Sequence, residues 1–254
     1  MVTPIAPIHK ASCSLDLSPF IFDLISKFEQ AAEAVMKCPR CVQKIHRGAD
    51  TCPHCGFSLA LVDLEFTMHD PVVKCLSDRA GLLRRVERDR VQRAIDQFCV
   101  RFPQLFFCVH TAVFPDPIQL RTFGFWLLNR GVFEEVSERA NAAGIVLVID
   151  VERKAAGLTY GYHLDAYLDE SDTFECLSRA HPHWLEGRHD DGIIALLKML
   201  EKILLRSSRQ AQRDPEKFAK KVIASPRVGL LPDRNRTDSI AKESEEVSDM
   251  EVDP

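Results

Sequence analysis

The 254-residue chain has little of several things. No stretch approaches the ~18 uninterrupted apolar residues that span a bilayer. Its most apolar windows, 144–151 and 193–205, are short or broken by Lys198, Glu201 and Lys202. Eleven Gly against 14 Pro disfavour glycine-rich repeats. Charge of one sign is not in excess: 33 Lys+Arg against 37 Asp+Glu leave a net −4, so no global basic field points to nucleic acid. Familiar catalytic signatures are missing as well. There is no P-loop, GxSxG, HExxH, DxDGS-type run or HCx5R thiolate loop. What remains is 46% hydrophobic and 28% charged, the composition of a globular protein with one ordinary domain and extras.

No export signal is expected. Met1 to Cys13 hold Lys10 as the one fixed side-chain charge, and Asp16 and Asp23 fall where a signal peptide needs an apolar run. Nine Cys is an odd number, so a complete disulfide set is impossible. The chain is read as reduced and cytoplasmic, without a transmembrane segment.

Four of the nine cysteines fall in one short window: Cys38-Pro39-Arg40-Cys41, ten residues, then Cys52-Pro53-His54-Cys55-Gly56. Two CxxC pairs at this separation supply four soft thiolates for a tetrahedral d¹⁰ ion. Pro at the second position presets the turn, and Gly56 tolerates a left-handed backbone. The window resembles a short zinc ribbon, with Cys38, Cys41, Cys52 and Cys55 as ligands of a structural Zn2+. Four thiolates close the coordination sphere, so no open position is left for water. Four unrelated thiols would not repeat the same knuckle, and a redox CxxC comes singly on a βαβ unit. His46 and His54 read as surface residues. Lys37, Arg40, Lys44 and Arg47 against Asp50 give a local +3. Aromatic interleaving is missing, so a protein partner or a purely structural role is favoured over nucleic acid.

Periodicity organises the rest. Residues 1–36 form an N-terminal segment, in which Ser18 and Pro19 start an amphipathic helix carrying Phe20, Ile21, Leu24, Ile25 and Phe28. Residues 37–60 are the ribbon, and 61–70 read as a link. A helix is expected over 82–102, a β-rich run over 104–113, and a second helix from Asp116 and Pro117 to about Asn129. Residues 134–143 read as a further helix. The strongest strand is 144–151 (GIVLVIDV), apolar on both faces like a central strand. A β neighbour follows at 156–164, then helices over 172–180 and 190–206, with His181-Pro182-His183 as a turn between them. Residues 207–254 are basic and then acidic. Their last 22 residues carry eight acids and three bases, a net −5, and read as disordered.

The order Asp78-Arg-Ala-Gly81-Leu-Leu, QLFFCVHTAV, Asn141-Ala-Ala-Gly144-Ile-Val-Leu-Val-Ile-Asp150, Gly157-Leu-Thr-Tyr-Gly161 and Trp184-Leu-Glu-Gly187-Arg-His-Asp-Asp-Gly192 resembles the TPM domain family across 68–206. The family's usual Asn-Gly before the central strand is here Ala143-Gly144. The resemblance implies an α/β fold, a small α/β/α sandwich around a short sheet. Phosphatase activity and Ca2+ binding are attributed to some relatives, and these imply a possible second, hard cation, Ca2+ or Mg2+. Ligands of open α/β sheets sit beyond the carboxyl ends of strands. Asp78, Asp150, Asp190 and Asp191 are therefore the weak catalytic candidates, against the plainer reading of Asp190 as a helix cap and the others as solvated loop acids. Two functions follow: a non-enzymatic interaction or scaffold protein with a structural zinc, or a divalent-cation-dependent phosphatase-like hydrolase.

Overall fold

The computed structural model describes residues 35–46, 49–66, 72–114, 118–133, 143–215, 217 and 218. The expected N-terminal helix, the helix over 134–143 up to residue 142, and the acidic tail lie outside them.

A four-stranded sheet of order β4-β5-β7-β8 forms the centre. β4 (Leu76–Asp78), β5 (Phe106–Ala112) and β7 (Gly144–Asp150) are parallel, and β8 (Ala155–Tyr160) returns antiparallel from β7. Every residue of β7 is buried, as its two-sided apolar pattern requires. Alternation then sorts the side chains between two layers. Phe107, Val109, Ile145 and Leu147 face a layer made by α2 (Arg85–Arg101), α4 (Glu170–Leu185) and α5 (His189–Arg213). Phe106, Cys108, Val146 and Val148 face α3 (Leu120–Arg130) and the cysteine window. The result is an α/β/α sandwich. Gly144 opens β7 because a Cβ there would meet the Phe106 ring and come within 2.7 Å of a Leu128 methyl.

The cysteine window carries a small hairpin of β1 (Val35–Lys37) and β2 (Lys44–His46). A two-stranded parallel pair, β3 (Val72–Val73) with β6 (Val132–Phe133), completes the sheets among the described residues.

Several boundaries differ from the sequence pattern for local reasons. The link over 61–70 is in part a helix, α1 (Leu59–Phe66). Its octapeptide LALVDLEF is apolar nearly all round, so it shows no period, and Ser58 Oγ accepts from Leu61 N at 3.3 Å to start it. α2 starts at Arg85 rather than Leu82 because the amides of Leu82 and Leu83 are spent on the Asp78 carboxylate, at 2.9 and 3.1 Å. α3 starts at Leu120, after Gln119, later than Pro117 implied. α4 starts at Glu170, capped by Asp169, whose carboxylate accepts from Asp172 N at 3.0 Å. His181-Pro182-His183 is not a turn but lies inside α4. The turn falls later, where Gly187 takes φ +73° and Arg188 N reaches back to His183 O at 2.9 Å. α5 runs on to Arg213.

Candidate metal centre

The two CxxC segments fold as near-copies of each other. Cys38 N donates to Gln43 O at 2.9 Å and Val42 N to Cys38 O at 2.8 Å. In the second knuckle, Cys52 N donates to Phe57 O at 2.8 Å and Gly56 N to Cys52 O at 2.9 Å. Each turn ends in a left-handed residue, Val42 at φ +62° and Gly56 at φ +69°. The pairing brings all four sulfurs within 4.8 Å of one another. Cys38 Sγ lies 3.7 Å from Cys55 Sγ, and Cys41 Sγ 3.7 Å from Cys52 Sγ. A tetrahedron of sulfurs at the usual Zn–S distance of ~2.3 Å has edges of about 3.8 Å, so the four donors fit such an ion. Burial pushes the Cys38 thiol up to about 12. At Cys52 burial acts the same way, but the amides of His54 and Cys55 outweigh it and bring the thiol to about 7. Four cysteines therefore stand ready to hold a metal ion. His54 is exposed.

Val42 is a β-branched residue in a conformation that costs any L side chain roughly 1–2 kcal/mol. Glycine fills the matching place in the other knuckle. Val42→Gly is expected to raise the stability of the metal-loaded protein by about 0.5–1 kcal/mol, the relief being partly offset by glycine's unfolded-state freedom. A higher urea midpoint at unchanged m-value shows it. A lower midpoint means that the Val42 side chain contributes more than its backbone loses.

The window is anchored to the sandwich. Cys38, Cys52, Ile45, Phe57 and Val62 share one buried cluster with Phe106, Phe123 and Trp126. Asp63 on α1 accepts from Trp126 Nε1 at 2.9 Å and from Arg130 Nε and an Arg130 terminal nitrogen at 3.0 and 2.6 Å. Phe66 meets the rings of Phe123 and Trp126 at 5.1 and 5.2 Å. Lys37 reaches Glu170 at the start of α4, at 3.0 Å. Nothing in the sequence pattern pointed to this docking. The one available signal was a pair of acids, Asp63 and Glu65, in an otherwise apolar octapeptide.

The four aspartates do not converge on one site. Asp78 ends β4 and Asp150 ends β7, with β5 between them, so about 10 Å of sheet separates them. Asp78 accepts from Thr111 Oγ1 at 2.5 Å and Arg88 at 3.1 Å as well as from the two amides. Burial alone would raise its pKa, but these donors hold the carboxyl below its ordinary range. Asp150 is 1% exposed and accepts from the Arg153 amide and guanidinium at 3.2 and 3.1 Å. Asp190 is paired with Arg90 in the first turn of α5 and does not cap it; that position belongs to Arg188. Asp191 takes Arg90 at 2.8 Å and Arg188 at 3.1 Å, and these guanidinium groups lower its pKa. Among the described residues the cysteines are the one set of three or more ligand-type side chains close enough to share an ion.

Fold and site together define an α/β/α sandwich carrying a four-cysteine cluster on one face. No family model matches the chain, and no curated protein matches it. Among solved structures it is similar to the N-terminal domain of the cg2496 protein of Corynebacterium glutamicum, with 15% identity and a TM-score of 0.39 over 50% of this chain and 76% of that one. It is also similar to the N-terminal domain of a protein from P. gingivalis, with 20% identity and a TM-score of 0.41 over 53% of this chain and 84% of that one. No helix among the described residues is long and apolar enough to cross a membrane.

Proposed function

We propose that this chain is a non-enzymatic interaction protein of TPM-like type, working in the cytoplasm on protein partners, in which a structural zinc ion held by Cys38, Cys41, Cys52 and Cys55 fixes the ribbon on the sandwich. The observation that carries the reading is the closed sulfur set, whose 3.7 Å separations suit a tetrahedral ion and leave no vertex for water or substrate. Bound there, zinc supplies cross-linking and no Lewis-acid chemistry. The eight described cysteines form no disulfide, which suits a reducing compartment.

The hydrolase reading needs free carboxylates that converge. Here Asp78 and Asp150 are separated by a strand, and all four candidates already accept from arginine. Elemental analysis of the purified chain, with calcium and magnesium titrated into it, tests the proposal. One zinc per chain and no saturable second ion is the expected result. Saturable calcium or magnesium that vanishes in Asp150→Asn, together with phosphate-ester turnover, would overturn it in favour of the hydrolase.

A further inference from the structure

The α4–α5 face, built on the opposite layer from the ribbon's core cluster, carries a feature that the zinc reading does not use. On α5 the residues Lys198, Lys202, Arg206, Arg209 and Arg213 recur at intervals of four, four, three and four, which places them in one line. All five are exposed. At 1.5 Å per residue the line is about 22 Å long, with a cation roughly every 6 Å. The other side of the helix cannot turn outward, because Ile193, Leu196, Leu197, Leu200, Ile203 and Leu204 are core residues.

Two grooves run along this line and share Lys198 and Lys202. One, of about 940 Å3, adds Arg90, Arg179 and Arg188 from the neighbouring elements. The other, of about 780 Å3, continues over Arg206, Arg209, Arg213 and Lys217. Four acids line the grooves, Glu175, Asp191, Glu201 and Asp214, and two of these, like Asp172 nearby, are paired with arginine. Asp191 holds Arg90 and Arg188, Glu201 pairs with Arg101 at 3.5 Å, and Asp172 takes Arg206 at 3.3 Å. Lys202, Arg209, Arg213 and Arg179 form no ion pair with a described carboxylate, and Lys198 feels the Glu201 charge without a close ion pair. Like charges at i, i+4 without partners destabilise a helix by a few tenths of a kcal/mol per pair. On a concave face such a line suits a polyanion.

We infer that the α4–α5 face binds the phosphate backbone of a nucleic acid. The regular spacing suits a linear polyanion, and Arg179, Arg209 and Arg213 present forks that match phosphate oxygens. A lipid surface is disfavoured because α5 has its apolar side buried and the exposed apolar side chains of α4, Phe174 and Leu185, are two separate residues rather than an apolar stripe. An acidic protein segment would want one or two strong anchoring pockets; the grooves offer instead an even row of cations. Recognition is through charge, so sequence preference is slight. This site goes beyond the zinc-stapled interaction reading and does not depend on it.

The test is fluorescence anisotropy of a labelled 20-nucleotide RNA with the full, metal-loaded chain at 50, 100 and 200 mM salt. Five phosphate contacts predict a log–log slope of about −3.5, or a loss of affinity of roughly 100-fold across that range. Lys198→Glu/Lys202→Glu/Arg209→Glu should abolish binding, while Lys198→Arg/Lys202→Arg keeps it. Circular dichroism and zinc content verify that both variants are folded and loaded. No saturable binding at 50 mM salt overturns the inference, as does binding that survives the charge reversal. Tighter binding to poly-glutamate than to the RNA overturns it in favour of an acidic protein, and tighter binding to phosphatidylserine vesicles in favour of a membrane. Zinc stoichiometry, read separately, decides the proposed function on its own.

Discussion

If the four cysteines hold a structural zinc as proposed, Cys52→Ser will release it and destabilise the whole folded unit, not just the ribbon. A ribbon of some 20 residues has almost no core of its own, so its folding free energy is its metal-binding free energy. Saturation at a thousand times the dissociation constant is worth about 4 kcal/mol, and this is the scale of the expected loss. The effect spreads because Cys38 and Cys52 are 1% and 2% exposed within a cluster that includes Phe57, Phe123 and Trp126. Loosening the ribbon uncovers the α3 side of the sheet. Two readouts follow: a lower urea midpoint, and a red shift in the emission of Trp126, whose indole N–H loses a firmly held Asp63. A chelator should do the same to the parent chain and add nothing in Cys52→Ser. Identical melting of the parent with and without chelator would show that the four sulfurs contribute no metal-linked stability.

How much of this was legible beforehand differs by element. β7 was readable because the six consecutive apolar or small residues from Gly144 to Ile149 have no helical explanation at that length, and its two-sided burial follows. The cysteine set was readable because CxxC knuckles are local: backbone turns within six residues aim both sulfurs the same way. α1 was not, since LALVDLEF lacks an amphipathic period and is helical through tertiary contacts of Val62, Asp63 and Phe66. Pro182 misled for a related reason. It reads as a breaker, but α4 continues through it to Leu185, and the real punctuation is Gly187. The aspartates looked like a converging site because one-dimensional order does not show arginines. Arg88 takes Asp78, Arg153 takes Asp150, and Arg90, from a helix 100 residues away, takes both Asp190 and Asp191.

The same blindness covers His110, which turns a β-strand position into a pH sensor of stability. Its side chain lies on the α3 side of β5, 5% exposed, with its ring 5.5 Å from Phe123 and Nδ1 without a hydrogen-bond partner. Burial disfavours the imidazolium, the positive charge of Arg79 adds to this, and the pKa falls to about 4. In the unfolded chain the same group titrates near ~6.5. Between those two values the unfolded state binds the proton and the folded state does not, so stability falls as pH drops from about 6.5 to about 4. Above that window His110 is neutral in both states, and below it protonated in both. The full shift corresponds to about 3 kcal/mol at most. Asp78 acts in a different window. Its lowered carboxyl contributes above the unfolded value near 3.8, and that contribution is lost as pH falls further. Metal release in acid will also weaken the protein, but equally in a variant that keeps the cysteines. The informative quantity is therefore the difference between the parent and His110→Phe, measured as unfolding free energy from pH 7.5 to 4. That difference should be flat above pH 7 and then move by about 2–3 kcal/mol in favour of the phenylalanine variant as the acid is added. Parallel curves across the range would mean that the folded protein admits the His110 proton, and that the buried imidazole has a partner it can charge against.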